Sequence, residues 1–221
     1  MDLKGGKIFL KAKPEKSASI GRIVGAAHWN PTSLPVGTPL GVEETAVFSF
    51  PKAQPPDEED RVNSSNTYGF IAEVVAVEVD PGTAEVKILK YVTVHDAGTV
   101  INPMVVEGQI YGGVAHGIGG ALYEEMAYSD DGQYLTATFM DYLVPTAAEV
   151  PTLDIGHVVS PSPITVLGSK GAGESSTMTA PPVIGNAVAD ALRPLGVNVT
   201  ELPLTPDRVF RLLQQAKAAK R

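Results

Sequence analysis

Cysteine is absent from the 221 residues. That excludes disulfides, thiolate zinc sites, thiolate-held iron–sulfur clusters and cysteine nucleophiles within this chain. It agrees with a cytoplasmic protein, which is the expected location. Aromatic residues make up only 6% of the chain, with a single tryptophan. No block of lysine and arginine occurs, and the formal net charge is −8. A basic nucleic-acid footprint is therefore missing, and an anionic ligand would have to be met by local backbone N–H groups rather than a global positive field. No run of about 18 apolar residues is present, so no membrane-spanning helix is expected. The opening residues, MDLKGGKIFLKAKPEK, lack the apolar stretch of a signal peptide.

Glycine and proline, by contrast, are plentiful, at 22 and 18. The glycines concentrate in 98–120 and 168–173, as they do where backbone packs closely against something. The hydrophobic share of 43% is enough for a packed core.

The pattern along the chain predicts an α+β fold without internal repeats. A short strand is expected at 7–10, then a helix over 20–29 capped by Ser17 or Ser19. This opening reads as a chain that starts partway through a larger fold. Residues 30–41 are turn-rich, and a strand is expected over 45–50. Residues 51–66, PKAQPPDEEDRVNSSN, form a polar surface loop. The two strongest strand signals are 70–79 and 84–94, joined by a hairpin turn at Asp80-Pro81-Gly82-Thr83. Pro103 opens a helix over 104–126, and SDDGQ (129–133) turns between short strands. A strand over 153–159, a helix over 182–192 and a last helix from the Thr205-Pro206-Asp207 cap to about 218 complete the chain.

Two stretches bear chemistry. VEGQIYGGVAHGIGGALYEE (106–125) puts Gly108, Gly112, Gly113, Gly117, Gly119 and Gly120 inside one predicted helix. Each costs roughly 1 kcal/mol relative to alanine, so close approach of another backbone or of a cofactor must offset the cost. Gln109 near its start has an amide that both donates and accepts, which suits a pterin or base edge; tight helix packing with a surface glutamine explains the pattern as well. LGSKGAGESS (167–176) has the successive glycines of an anion-binding nest, with Lys170 able to add charge. Its order is neither that of a P-loop nor of a dinucleotide fingerprint. Glu174 follows directly. It is a candidate general base if held in a dry pocket, or a carboxylate at a helix N-terminus, where the dipole favours it. The histidines His28, His95, His116 and His157 show no metal-ligand spacing. His95-Asp96, at a strand end, suits orienting a loop by hydrogen bonds. Glu107 and 57–60 read as solvated charges, and Glu124-Glu125 as a solvated helix end or an interface charge pair.

Taken in order, VEVDPGTAEVKIL (77–89), HDAGTVINPMVVEGQIYGGVAHGIGGALYEE (95–125), FMDYLVPTAAEVP (139–151), GSKGAGES (168–175), NAVADAL (186–192) and LPLTPDRV (202–209) resemble the molybdenum-binding subunit of the xanthine dehydrogenase, aldehyde oxidase and carbon monoxide dehydrogenase family. The resemblance runs over roughly 17–215. It implies a C-terminal molybdopterin-binding domain spanning 1–221, with a mixed sheet, a glycine-rich helix and C-terminal helices, incomplete without a partner chain. It implies that Gly108 and Gln109 contact the molybdopterin, that Lys170, Gly171, Ala172 and Gly173 line its site, and that Glu174 is the base beside molybdenum, whose ligands come from pterin and solvent rather than from protein. It further implies an oxidoreductase that hydroxylates an aldehyde or N-heterocycle with oxygen from water. The expected cofactor is molybdopterin cytosine dinucleotide. The partners would be another molybdenum-binding chain, an iron–sulfur subunit and an FAD-carrying flavin subunit. A hydratase, a CO-oxidising relative or a subunit that only buttresses a neighbour are the alternatives. Three residues depart from the family pattern: His116 stands where many relatives have glutamine, and Ser175-Ser176 follow the glutamate where some have proline or glycine.

Overall fold

A computed structural model describes residues 1–48, 53–65 and 67–219. Contacts divide the chain into two units, Met1–Ser49 and Phe50–Arg221.

In the first unit, strands β1 (Asp2–Lys4), β2 (Lys7–Leu10) and β3 (Lys13–Ser19) form an antiparallel sheet in that order. Helix α1 (Ile20–Trp29) follows without a break. Ser19 caps it, its hydroxyl accepting the N–H of Arg22 at 3.2 Å, so the second of the two expected caps is used. The strand expected over 45–50 does not form through residue 48, and 49–50 lie outside the described residues. β-propensity needs a neighbouring ladder to act through, and 45–48 have none.

The second unit is built on a mixed sheet, β4–β5–β6. β4 (Phe70–Val79) and β5 (Val86–Asp96) pair antiparallel from Phe70↔Asp96 to Val79↔Val86, with a bulge at Ala76/Val77. β6 (Leu153–His157) pairs parallel to β5 and stops two residues short of the expected end. In the hairpin turn Asp80 Oδ1 accepts the N–H groups of Gly82 and Thr83 at 2.6 and 3.3 Å. The left-handed position falls to buried Ala84 (φ +62°) rather than to Gly82. Within 51–66, residues 51–52 and 66 lie outside the described residues; Asp57 ties the described part together by accepting from Glu59 N and from the backbone and guanidinium of Arg61.

Helix α2 (Pro103–Ile118) starts as expected, with Pro103 in the first turn and Asn102 Oδ1 accepting from Val105 N. It ends earlier than expected. At Gly119–Tyr123 the helix widens to a π turn, closed by Glu124 N donating to Gly119 O at 2.8 Å. The short strands expected around 129–133 reduce to one bridge, Tyr128↔Tyr134.

Helix α3 (Ser175–Leu192) begins seven residues before the expected start and carries Pro181 and Pro182 inside it. Proline usually marks a first turn because its ring clashes with the preceding turn and it lacks an N–H. Here packing on α2 carries the helix through. Gly117 leaves room for Ala180 and Pro181, and Gly113 for Ser176 and Thr177. Ala180, Ile184, Val188 and Leu192 repeat at four-residue spacing and are buried against Ile110, Val114 and Ile118 of α2 and against Tyr91 of β5. Val209 and Leu213 of α4 (Pro206–Ala219) close the core. Among the described residues no helix is long and apolar enough to cross a membrane.

Candidate functional site

Where β5 ends, the chain leaves the sheet through Ala97-Gly98 and meets the glycine loop that leads into α3. Gly98 (φ +63°) forms a bridge with Ser169, and Thr99 N donates to Gly168 O at 2.9 Å. Glycine is required at Gly168 (φ +74°): a Cβ there would stand 2.8 Å from Thr99 Oγ1 and 2.9 Å from Pro161 Cβ. The two segments are locked backbone to backbone.

Asp96 strengthens the lock. One carboxylate oxygen accepts from Gly98 N at 2.9 Å and Ser160 N at 3.3 Å, and the other from the Lys170 ammonium at 2.6 Å. The side chains of Lys170 and Asp96 are only 7% and 6% exposed. Lys170 Nζ also reaches Ser160 Oγ and lies 5.9 Å from the centroid of the Phe70 ring. The hydrogen bond from Lys170 holds the Asp96 carboxyl below its ordinary range, reinforced by the two backbone donors. The expectation that His95-Asp96 orients a loop is met, and the loop is the one that carries the candidate base.

That loop borders a cleft of about 570 Å³, lined by Gly171, Ala172, Gly173 and Glu174, by the end of β5 at His95–Ala97, and by Gly69, Ile71, Ser175 and Met178. Of the site residues expected from sequence, four meet here. Glu174 takes the N-cap position of α3 (φ −107°, ψ 6°), and its side chain makes no capping bond. The expected helix N-terminus is where Glu174 lies, whereas the expected dry pocket is absent from the described residues of this chain: the residue is exposed and faces a cleft open to water. Lys170 is in the loop, but its charge is taken by Asp96 and is not turned on the cleft.

Gln109 does not line the cleft. It stands against the loop, with its Oε1 3.4 Å from where a Cβ on Gly173 would be. Two stretches more than sixty residues apart thus meet side chain to backbone. The helix glycines divide into two groups. At Gly113, Gly117 and Gly119 an added Cβ would come within 3.0 Å or less of Ser176, Ala180 and Glu124 respectively, so packing accounts for them. At Gly108, Gly112 and Gly120 it would meet nothing within 4 Å. Gly108 and Gly112 are exposed and one turn apart, so α2 presents bare backbone on the face beside Gln109. Sequence reasoning missed the lock at Gly98 and Gly168 and the part played by Ser160. Gly98 and Gly168, a single glycine at each place, were the available signal.

Residues 1–151 match the family model described as molybdopterin cofactor-binding domain. The chain is 40% identical over 197 residues to the nicotine 6-hydroxylase large subunit of Paenarthrobacter nicotinovorans, covering 89% of this chain and 22% of that protein. It is 38% identical over 153 residues to the carbon monoxide dehydrogenase large chain of Hydrogenophaga pseudoflava, covering 69% of this chain and 19% of that one. Among solved structures, quinoline 2-oxidoreductase from Pseudomonas putida 86 superposes with a TM-score of 0.76 at 37% identity, over 97% of this chain and 26% of that one. The chain therefore spans about a fifth to a quarter of the length of these relatives.

Proposed function

Because the chain belongs to the molybdopterin cofactor-binding domain family, we propose that it is the part of a multi-subunit molybdenum hydroxylase that holds the pterin cofactor and supplies the catalytic base. The single observation that carries this reading is the meeting of Gln109 with Gly173, directly before Glu174. An amide that can donate and accept is thereby set beside a free carboxylate and a bare helix face at Gly108 and Gly112.

The residues present fit such a group. The open face of α2 admits a flat polar ring, and Gln109 can bond its edge. The loop of Gly171, Ala172 and Gly173 and the first turn of α3 offer N–H donors to its anionic parts. With Lys170 paired to Asp96, neutral donors do this work. When bound, the group supplies a redox-active molybdenum that takes up two electrons. The net change is R–H + H2O → R–OH + 2 H⁺ + 2 e⁻, and Glu174 is this chain's acceptor for a proton. The Asp96–Lys170 lock keeps the carboxylate's position constant through the cycle.

The substrate class in this reading is a nitrogen heteroaromatic or an aldehyde; relatives named for nicotine and quinoline support the former. Molybdopterin cytosine dinucleotide is the proposed form of the cofactor. Iron–sulfur and FAD subunits, with a further molybdenum-binding chain, carry the electrons and complete the pocket. The proposed location is the cytoplasm.

The test uses the complex that co-purifies with this chain. Molybdenum, iron and a released cytidine nucleotide are expected in near-stoichiometric amounts. Glu174→Gln is expected to keep that content and lose turnover. Near-normal turnover in the variant overturns the assignment of the base, and a clean complex without molybdenum, from cells supplied with it, overturns the cofactor reading.

A further inference from the structure

Next to Glu174 stands Ser175, and behind Ser175 runs a buried chain of hydrogen bonds that the reading above leaves unused. Ser175 Oγ lies 2.9 Å from the carbonyl oxygen of Ala172 and 3.3 Å from Nδ1 of His95. His95 is 2% exposed. Its Nε2 lies 2.7 Å from Thr93 Oγ1 and 3.2 Å from Ser176 Oγ. Thr93 is paired with Glu73 across β4 and β5, and its hydroxyl lies 3.0 Å from one Glu73 oxygen. The other Glu73 oxygen is 2.9 Å from the hydroxyl of Tyr91.

Counting protons gives this chain a direction. Burial and the Glu73 charge push the Tyr91 hydroxyl far above its ordinary range, so it stays protonated and donates to Glu73. A carboxylate only accepts, so the single hydroxyl proton of Thr93 also goes to Glu73. Thr93 Oγ1 is then left as an acceptor, and the 2.7 Å contact must be made by a proton on His95 Nε2. Burial, with the neighbouring His157, lowers the His95 pKa and favours the neutral ring. A neutral imidazole with its proton on Nε2 has its lone pair on Nδ1, and the one hydroxyl proton of Ser175, donated to the Ala172 carbonyl at 2.9 Å, is then shared with Nδ1 at 3.3 Å.

We infer that His95 is a positioning residue for the proposed base: Glu73, acting through Thr93, fixes the imidazole tautomer, and the Nδ1 lone pair, sharing the Ser175 hydroxyl proton with the Ala172 carbonyl, steadies the turn that presents Glu174. The inference rests on the reading of Glu174 as the base. It gives the two adjacent residues at the end of β5 complementary tasks. Asp96 grips the loop at Lys170 and His95 grips it at Ser175, so the cleft-lining residues 171–174 are suspended between two buried anchors.

Asparagine and glutamine separate this role from mere filling of space. At position 95 an asparagine amide takes the place of Nδ1 and can still reach Ser175; a glutamine amide takes the place of Nε2 and keeps only the Thr93 side. In the co-purified complex, His95→Asn is expected to exceed His95→Gln in kcat by at least about tenfold, at equal molybdenum content and similar KM. In the full chain labelled with ¹⁵N, the His95 ring is expected to show a protonated Nε2 and an unprotonated Nδ1, and Thr93→Val is expected to release this into a mixture of tautomers. Equal kcat in the two position-95 variants overturns the inference, as does a wild-type ring protonated on Nδ1. If the substitutions unfold the chain, the wild-type spectrum alone decides. A fully active Glu174→Gln complex removes the parent reading; an inactive one with equal position-95 variants removes the positioning role alone.

Discussion

Two glycines five residues apart on α2 are expected to respond to alanine with opposite signs. Gly112 is exposed, and a Cβ there meets nothing within 4 Å. Gly112→Ala therefore gains the helix propensity difference, about 1 kcal/mol, with no opposing contact. At Gly117 the same methyl would stand 2.4 Å from Ala180 Cβ and 3.1 Å from Pro181 Cδ. Overpacking of this kind costs about 1–3 kcal/mol. Contact with a Cβ fixed to a proline-stiffened helix belongs at the upper end, so after the propensity gain Gly117→Ala should lose about 1–2 kcal/mol. Adding Ala180→Gly removes the closest atom, and the double variant should be more stable than the sum of the single changes by about 1 kcal/mol. Urea denaturation of the full chain, followed by far-UV circular dichroism, reads the wild type, the three single variants and the double variant. A common sign for Gly112→Ala and Gly117→Ala would refute the division of the glycines into bare and packed. In the assembled complex the stabilised Gly112→Ala is expected to retain less molybdenum and cytidine nucleotide, because the methyl stands on the face proposed to receive the pterin. Full retention would refute that part.

The buried pair gives a second test. Lys170→Met leaves Asp96 without its charged partner and should cost about 3 kcal/mol at neutral pH, measured by the same denaturation. Because the folded Asp96 carboxyl sits below its ordinary value of 3.8, its contribution is present above that value and lost as pH falls through the folded one. Wild type should lose this increment only below about pH 4, whereas Lys170→Met should lack it throughout. Glu174→Gln should change stability by less than about 0.5 kcal/mol, since the side chain is exposed and makes no capping bond, so a loss of turnover there is not a loss of fold.

The elements most legible in the sequence were those specified locally. The 70–79 and 84–94 runs alternate and are rich in branched residues, and both became strands, the second shifted to 86–96 by a turn longer than its residues suggested. Pro103 and Ser19 set helix starts that needed no tertiary help. The errors lie where tertiary contact overrides local preference. α3 runs through Pro181 and Pro182 because two glycines on α2 give it room, and no reading of 175–192 alone contains that fact. At Gly119, where the π turn opens, Glu124 and Pro145 leave no room for a Cβ, and Pro145 is a neighbour that the local sequence does not reveal.

The candidate site divides in the same way. Glu174 and the glycines before it were visible because their chemistry is carried by residue type. Lys170 was visible too, but its type misled: a lysine beside a glycine nest suggests charge for an anion, and only the fold reveals Asp96, seventy-four positions earlier, as its partner. The consequence reaches the chemistry. A cationic loop would bind any anion that entered the cleft. With the ammonium paired to Asp96 behind the loop, Lys170 brings no free charge to the cleft, and of the two carboxylates that border it Asp96 is bound and Glu174 is exposed.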